Sequence, residues 1–201
     1  MNLADFLTTI RGFTKFRDTE VHTDALLISY LRMGEERLSA DLRIADMIQI
    51  DTAELTATRT RMPLDYRSMD FLRILGGKPI RYKTRDEFYD DEDNMTTRDY
   101  TTSGNFLIIG GTITEAAPLS VEFHYFGDVE ALEEDNESWL ARRYPRLLTA
   151  ATMEVASLGM VEDEGAVKWD KQAADLIAQM NADYKMSIAS GSKLVVKRRT
   201  F

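Results

Sequence analysis

The chain has 201 residues, a formal net charge of −9 and no cysteine, and 44% of its residues are hydrophobic. This length and composition predict one globular domain, or one domain with an appended helical arm, and exclude disulfides and thiolate metal sites. The net negative charge argues against binding to nucleic acid. The sequence shows no signal peptide and no apolar run of roughly 18 residues, which predicts a soluble, cytoplasmically made protein without a membrane partner.

Two amphipathic helices are predicted at the start of the chain. Apolar residues recur at helical spacing from Leu3 to Ile10, which gives the first helix one buried face. Thr23 is a suitable N-cap for the second helix, whose apolar face runs to Leu38. Between them, the polar linker 13–20 carries two aromatic residues and is expected to lie across the surface.

The middle of the chain changes from helical to alternating hydrophobicity, which is typical of strands. Strand candidates cover residues 47–51, 54–62, 68–74, 78–83, 100–104, 105–113 and 119–127. The glycine pairs 76–77 and 110–111 are interpreted as hairpin turns. The prediction is an antiparallel sheet, curled into a small sandwich or an open barrel.

An acidic segment interrupts these strands. Thr84 and Glu87 form a capping-box pattern for a short helix, and carboxylates crowd residues 86–93. The run lacks the glycine and the alternate spacing of an EF-hand loop, so a solvated acidic surface is favoured over weak cation binding.

Few residues suggest catalysis. The two histidines are His22 and His124, and no motif supplies either with a nucleophile or an orienting partner. Residues 190–193 match a Ser-x-x-Lys pattern formally, but this pattern needs the start of a buried helix with further partners. The sequence therefore predicts no catalytic, metal-binding or cofactor-binding residues.

Two helices are predicted in the last third of the chain. Pro145 fits the first position of one helix, and Gly159 ends it. Its apolar positions are Leu148, Ala151, Val155 and Leu158. The acidic run 162–164 suits the first turn of the next helix. The apolar stripe of that helix is Trp169, Ala173, Leu176, Ile177, Met180 and Tyr184. Helices joined by so short a turn pack against each other as a hairpin.

A basic tail follows residues 190–192, which are interpreted as a flexible joint. The tail residues are Lys193, Leu194, Val195, Val196, Lys197, Arg198 and Arg199. A disordered, solubilising end is one interpretation. The other is a docking segment that adds a strand to a partner sheet or meets an acidic surface.

Several motifs occur in one characteristic order. A Trp-Leu pair at 139–140 precedes the Tyr-Pro step at 144–145, and Lys-Trp at 168–169 precedes the Ser-Gly joint. Because these motifs occur in this order, the chain resembles the head-to-tail adaptor (connector) proteins of tailed bacteriophages. The resemblance includes the strand entry at 62–74 and the strand and acidic helix at 78–91. It also includes the hairpin at 100–111, where Gly110 and Gly111 replace a proline common in the family.

The resemblance implies a virion structural protein without enzymatic activity. Its fold would be α+β, with N-terminal helices (1–45), a β-rich segment (46–127), a long helical hairpin (138–188) and a C-terminal docking tail (189–201) within one adaptor domain. Family members form a ring, usually of twelve copies, beneath the portal protein, where they extend the DNA channel and carry the tail.

The implied partners are therefore the portal protein, copies of the same chain and downstream neck or tail proteins. Double-stranded DNA would pass through the channel without specific binding. Residues 193–199, Trp169 and Tyr184 are the candidate contacts with the portal or a neighbouring subunit.

Two alternatives remain open. Another neck component, such as a stopper or a tail-completion protein, is disfavoured by the long C-terminal helix pair. A small soluble enzyme or ligand-binding protein would require a cluster of strongly shifted titratable groups in a deep pocket.

Overall fold

A computed structural model of the chain describes residues 1–13, 16–90, 94–160 and 162–193, with side chains described up to residue 188. The chain forms two compact units, one made of Met1–Asp46 with Asp128–Phe201 and the other of Met47–Gly127. The first is called the helical unit here and the second the β unit. In sequence, the β unit is inserted between the two parts of the helical unit.

Five of the six α-helices in the described residues agree in type and order with those predicted, and the short helix α4 was not predicted. The six helices are α1 (Leu3–Gly12), α2 (Asp24–Asp41), α3 (Arg85–Asp90), α4 (Trp139–Arg143), α5 (Pro145–Gly159) and α6 (Asp163–Lys193). Side chains cap the starts of several, because the first N–H groups of a helix have no partner within it. Thr23 caps α2 as predicted, Asn2 forms a capping box on α1, and Ser138 caps α4. Pro145 occupies the first turn of α5.

Helix α5 is the centre of the helical unit, since it packs against both α2 and α6. Its buried residues are Leu147, Leu148, Ala150, Ala151, Thr152, Met153, Ala156 and Ser157. Small residues dominate this set, so neighbouring helices can approach closely. Gly34 on α2 uses this room, because a Cβ there would stand 3.0 Å from the backbone nitrogen of Thr152.

Two sequence-based expectations about burial are wrong. Leu158 was assigned to the apolar face of α5, but its side chain is 60% exposed. Phe16 was expected on a surface linker, but it is fully buried. In both cases the tertiary packing of the helical unit, which local spacing does not encode, decides which side of the backbone faces inward.

Helix α6 follows the predicted apolar stripe. Ala173 and Ile177 are buried, while Trp169 and Tyr184 are half-buried. The helix continues through residues 190–192, where a flexible joint was predicted, and is described as far as Lys193. A single glycine costs a helix about 1 kcal/mol relative to alanine, which a helix of this length tolerates.

The β unit is a small sandwich, one of the two predicted forms. Its strands are β1 (Ile48–Leu55), β2 (Arg59–Arg61), β3 (Ser68–Ile74), β4 (Arg81–Tyr82), β5 (Asp99–Ser103), β6 (Phe106–Ile109) and β7 (Leu119–Phe126). They form a three-stranded sheet, β1-β7-β3, and a four-stranded sheet, β2-β6-β5-β4. Apolar residues of both sheets, including Leu72, Val121 and Leu107, make one buried cluster, which places the core between them.

The sheets depart from the predicted antiparallel pairing at β4. Gly76 makes the predicted turn after β3, with φ at 68°, and the Ile74 N–H donates to the Lys78 carbonyl at 3.1 Å. The chain then passes to the other sheet, where β4 pairs with β5 in parallel.

The second glycine pair is not a hairpin turn, because β6 and β7 belong to different sheets. Gly110 lies where a Cβ would come within 2.7 Å of the Thr96 carbonyl oxygen, so the backbones pack too closely there for a side chain.

Across the part of the chain described here, no helix combines the length and the apolarity that crossing a membrane requires.

Candidate partner-binding site

The two predicted contact residues whose side chains the structure describes, Trp169 and Tyr184, do not share one site. Trp169 and Tyr184 lie on the same helix, but their separation of fifteen positions corresponds to about 22 Å of rise. Lys193 is the last residue of α6 that the structure describes. Residues 194–199 of the tail lie outside the described residues, so their predicted role in docking stays a prediction.

Trp169 forms one wall of a groove in the helical unit, which is called the aromatic groove here. The groove has a volume of about 450 Å³, and Phe13, Phe16, Met153 and Met160 supply its other apolar surfaces. The rings of Phe13 and Trp169 meet edge to face at 89°, with their centroids 5.8 Å apart. Such pairs prefer this geometry, so the two rings hold each other in place.

Acidic residues stand at one rim of the aromatic groove. Glu162 and Glu164 line it, and Asp163 joins them around an adjoining depression of about 320 Å³. The first turn of α6 favours this negative charge, because the N-terminal end of a helix carries a partial positive charge. A basic side chain also lines the groove, since the Lys168 Nζ lies 5.3 Å from the centroid of the Trp169 ring.

Tyr184 lines a separate and smaller depression of about 260 Å³. Ile44, Tyr144 and Met180 contribute to the same surface. Because Tyr184 is half-buried, only part of its side chain is accessible to a partner.

Polar contacts fix α6 to α2 along its length. The Arg37 guanidinium contacts Glu154 on α5 and lies 2.7 Å from the Asp170 carboxylate on α6. Farther along, the Asn181 Oδ1 accepts the Arg43 backbone N–H at 2.7 Å, and its Nδ2 donates to the Asp41 carbonyl at 3.0 Å. The α6 residues of the aromatic groove and of the Tyr184 surface therefore lie on a helix that these contacts hold against α2.

A buried carboxylate holds the chain where it returns to the helical unit. The Glu35 Oε1 accepts the Leu132 backbone N–H at 2.8 Å, and its Oε2 lies 2.8 Å from Arg32. One turn later, the Ser39 hydroxyl accepts the Val129 N–H at 2.9 Å. Burial raises the pKa of Glu35, although these hydrogen bonds and the Arg32 charge oppose the shift.

The β unit presents a mixed outer face on its three-stranded sheet. Ile50, His124 and Phe71 are cross-strand neighbours on β1, β7 and β3. The Phe71 and His124 rings meet at 5.5 Å, and Ile50 is 65% exposed. Beside them, the hydrogen bond from Arg73 and a second one with His124 lower the pKa of Glu122.

A tyrosine cluster in the β unit bears on the alternative of an enzyme or ligand-binding protein. Tyr66, Tyr82 and Tyr100 line a depression of about 560 Å³. Burial raises the pKa of Tyr66 and raises that of Tyr100 to about 12, so both hydroxyls keep their protons near neutral pH. Within the described ranges, no three histidine, aspartate or glutamate residues are grouped to hold a metal ion.

Comparison with known proteins decides between these interpretations. Residues 1–195 match the model of a family described as SU10 adaptor protein. The chain belongs to the SU10 adaptor protein family. The match spans both units and the whole of α6, which confirms the resemblance to phage head-to-tail adaptors. No curated protein matches the chain.

Membership of the family makes this chain a phage adaptor protein and implies a place in the neck of the virion. It also implies interaction with portal and tail proteins. The aromatic groove and the outer face of the β unit are the surfaces on which such contacts can be argued from side chains.

Some residues that line the aromatic groove or hold the helical unit together were missed from sequence alone. The two phenylalanines of the linker, Phe13 and Phe16, were the available signal for the aromatic groove, since two aromatics in eight residues are costly to leave in water. Glu35 and Asn181 gave no signal, because their partners lie 97 and 138 residues away in sequence.

Proposed function

We propose that the adaptor forms an oligomeric ring beneath the portal, where it extends the DNA channel and provides the platform for tail attachment. The observation that carries the proposal is the family match over residues 1–195, which includes every described helix and strand. Twelve copies are proposed, as is usual for the family. Assembly would take place in the host cytoplasm.

Exposed apolar side chains support an oligomeric role for each unit. On the helical unit, Leu158 and Val167 are more than half exposed, and on the β unit Ile50 and Leu64 are too. A ring contact joins two different surfaces of neighbouring subunits, so each subunit needs two unlike patches. Each unit offers apolar and charged surface from which such patches can be built.

Net charge supports a channel that does not retain DNA. The chain carries 34 acidic and 25 basic residues. Like charge disfavours contact with phosphates, so a wall with this balance lets the duplex slide. The proposed relation to DNA is therefore passage without specific binding.

Imaging the adaptor bound to its cognate portal tests the proposal. The adaptor would be mixed with purified portal, and the complex would be examined by cryo-electron microscopy and native mass spectrometry. A closed ring of adaptor copies coaxial with the portal is expected. An adaptor that stays monomeric and does not bind the portal would overturn the proposal.

The same images test the channel. Residues facing the lumen should be acidic or neutral on balance. A wall dominated by lysine and arginine would show that the channel holds DNA, contrary to the proposed passage.

A further inference from the structure

Strand β1 has one unpaired side. It pairs with β7 along its whole length, and no other strand of the described residues joins it. The Phe126 carbonyl accepts the Arg67 N–H on the side of β3, whereas the next residue, Gly127, donates its N–H to the Met47 carbonyl on the side of β1. Antiparallel strands keep this alternation along their length. By the β1–β7 register, the residues of β1 whose N–H and C=O groups point out of the sheet are Ile48, Ile50, Thr52 and Glu54.

This edge of β1 is accessible. Residues 49–52 are all exposed, and among the outward backbone groups the described residues provide a partner for the Thr52 N–H alone, which donates to the Asp51 Oδ1 at 2.7 Å. The Ile50 side chain is 65% exposed at the same edge. A further strand would satisfy the outward backbone groups and place a side chain beside Ile50. The edge therefore has the properties of a template for the addition of a strand.

The C-terminal segment can supply that strand. Four stretches lie outside the described residues: 14–15, 91–93, 161 and 194–201. Only the last is long enough to form a strand of several residues. It begins with Leu, Val and Val, of which valine favours strands, and it contains no proline, so each of its residues can donate a backbone N–H.

The lengths of the two segments also match. The six residues 194–199 would span about 20 Å when extended, and the eight residues of β1 span about 26 Å. A strand of this length can therefore pair along most of the exposed edge.

A ring gives these two features a common purpose. Each subunit of a ring contacts its neighbours through two unlike surfaces, and a free strand edge and a strand-forming chain end are two such surfaces on one chain. We propose that residues 194–199 of one adaptor copy form a strand on the β1 edge of a second copy. This inference rests on the proposed ring, and it assigns the tail to a neighbouring subunit in preference to the portal. Main-chain hydrogen bonds supply the affinity in such a contact.

A disulfide trap between two variants of the full chain tests the contact. The natural sequence has no cysteine, so every introduced thiol is unique. One variant carries Thr200→Cys, next to the proposed strand, and the other carries Thr52→Cys on the exposed edge. The matched control for the second is Thr114→Cys, an exposed threonine of the same unit that lies outside the strands.

The two variants, distinguished by mass tags, are mixed under conditions where copies associate, on the portal if they do not associate alone. The edge pair should form at least about tenfold more mixed disulfide than the control pair, since binding raises the effective thiol concentration. Equal yields would overturn the inference. Loss of the edge link when portal is added would also overturn it, because the ring on the portal would then lack the contact.

Proline at Glu54 distinguishes backbone pairing from side-chain contact. Because the Glu54 N–H points out of the sheet, Glu54→Pro in the edge variant removes a donor from the edge and leaves the ladder with β7 intact. It should lower the trapped yield by about tenfold, since added strands bind through main-chain hydrogen bonds. Glu54→Ala removes the side chain, keeps the N–H and should leave the yield nearly unchanged. Equal yields from these two variants, both folded by circular dichroism, would contradict strand addition.

Hydrogen exchange of the unmodified chain gives an answer even if Glu54→Pro does not fold. The amides of Ile50 and Glu54 should exchange at least about tenfold more slowly in the assembled ring than in the free subunit, because a strand on the edge protects them. Unchanged exchange of both amides in the ring would overturn the inference.

The outcome remains separable from that of the proposed function. A ring that forms with equal trapping in the edge and control pairs overturns this inference alone. Chains that do not assemble with themselves or with portal overturn the ring and this contact together.

Discussion

Asn181 on α6 and Arg43 after α2 are joined by a 2.7 Å hydrogen bond, in which the Arg43 backbone N–H donates to the asparagine Oδ1. The amide nitrogen of the same side chain donates to the Asp41 carbonyl. A single side chain thus satisfies a donor and an acceptor where the backbone leaves α2.

Asn181→Ala should lower the free energy of unfolding by about 1–3 kcal/mol, because two backbone groups lose their partner. Urea unfolding followed by circular dichroism measures the change. Gln179→Ala, at an exposed position of the same helix, is the control and should change stability little. Equal effects from the two variants would mean that the Asn181 contacts contribute nothing specific.

Glu35 should make stability depend on pH. Burial raises the pKa of its carboxyl above the ordinary value of 4.5, so the folded chain binds this proton more tightly than the unfolded chain does. Its contribution to stability is therefore complete below pH 4.5 and is lost as the pH rises through the raised folded pKa. Glu35→Gln cannot titrate.

Consequently, the unfolding free energy of the wild type minus that of Glu35→Gln should fall as the pH rises from about 4 to about 8. Unfolding curves at several pH values measure this difference. The control is Glu36→Gln, at the exposed neighbouring position, for which the difference should stay nearly constant. A difference that rises with pH for Glu35 would show that the Leu132 N–H and Arg32 outweigh burial.

The close approach of α2 and α5 at Gly34 should tolerate no large side chain. Gly34→Leu should destabilise the protein by about 1–3 kcal/mol, because the backbone of Thr152 cannot move aside without displacing α5. The control is Gly12→Leu, where an added Cβ meets nothing within 4 Å. Similar thermal stability of the two variants would contradict the tight packing.

The sandwich core of the β unit should depend on Leu72, which is 1% exposed. Leu72→Ala should cost about 2–5 kcal/mol, through lost burial and the cavity left behind. Leu64→Ala provides the matched control, because Leu64 is 89% exposed and its truncation should change stability by less than about 0.5 kcal/mol. Guanidinium unfolding of the full chain compares them.

Local chemistry made much of the fold predictable. Thr23 caps α2 through its hydroxyl, and Thr84 with Glu87 forms the predicted reciprocal cap on α3. Pro145 and Gly159 bound α5 as predicted. Such signals depend on residues within one turn of each other, so they can be read from a single sequence.

Long-range pairing was not predictable in the same way. The turn at Gly76 was visible in the sequence, but the parallel pairing of β4 with β5 depends on which sheet receives the chain afterwards. The burial of Phe16 likewise depends on helices far along the chain. Of the candidate contacts, spacing placed Trp169 and Tyr184 on one face of α6, but it could not show that they serve separate surfaces.

Because α6 is uninterrupted, its length also fixes the angle around the helix axis between residues at its two ends. An α-helix turns about 100° per residue, so the 24 residues from Trp169 to Lys193 leave the two positions about 240° apart around the axis. Deleting one residue between them would shorten the helix by only about 1.5 Å but swing the exit of the tail by about 100°. Helix α6 therefore sets both the distance and the direction at which the following segment leaves it. An insertion or deletion within the helix would redirect that segment more than any single substitution there.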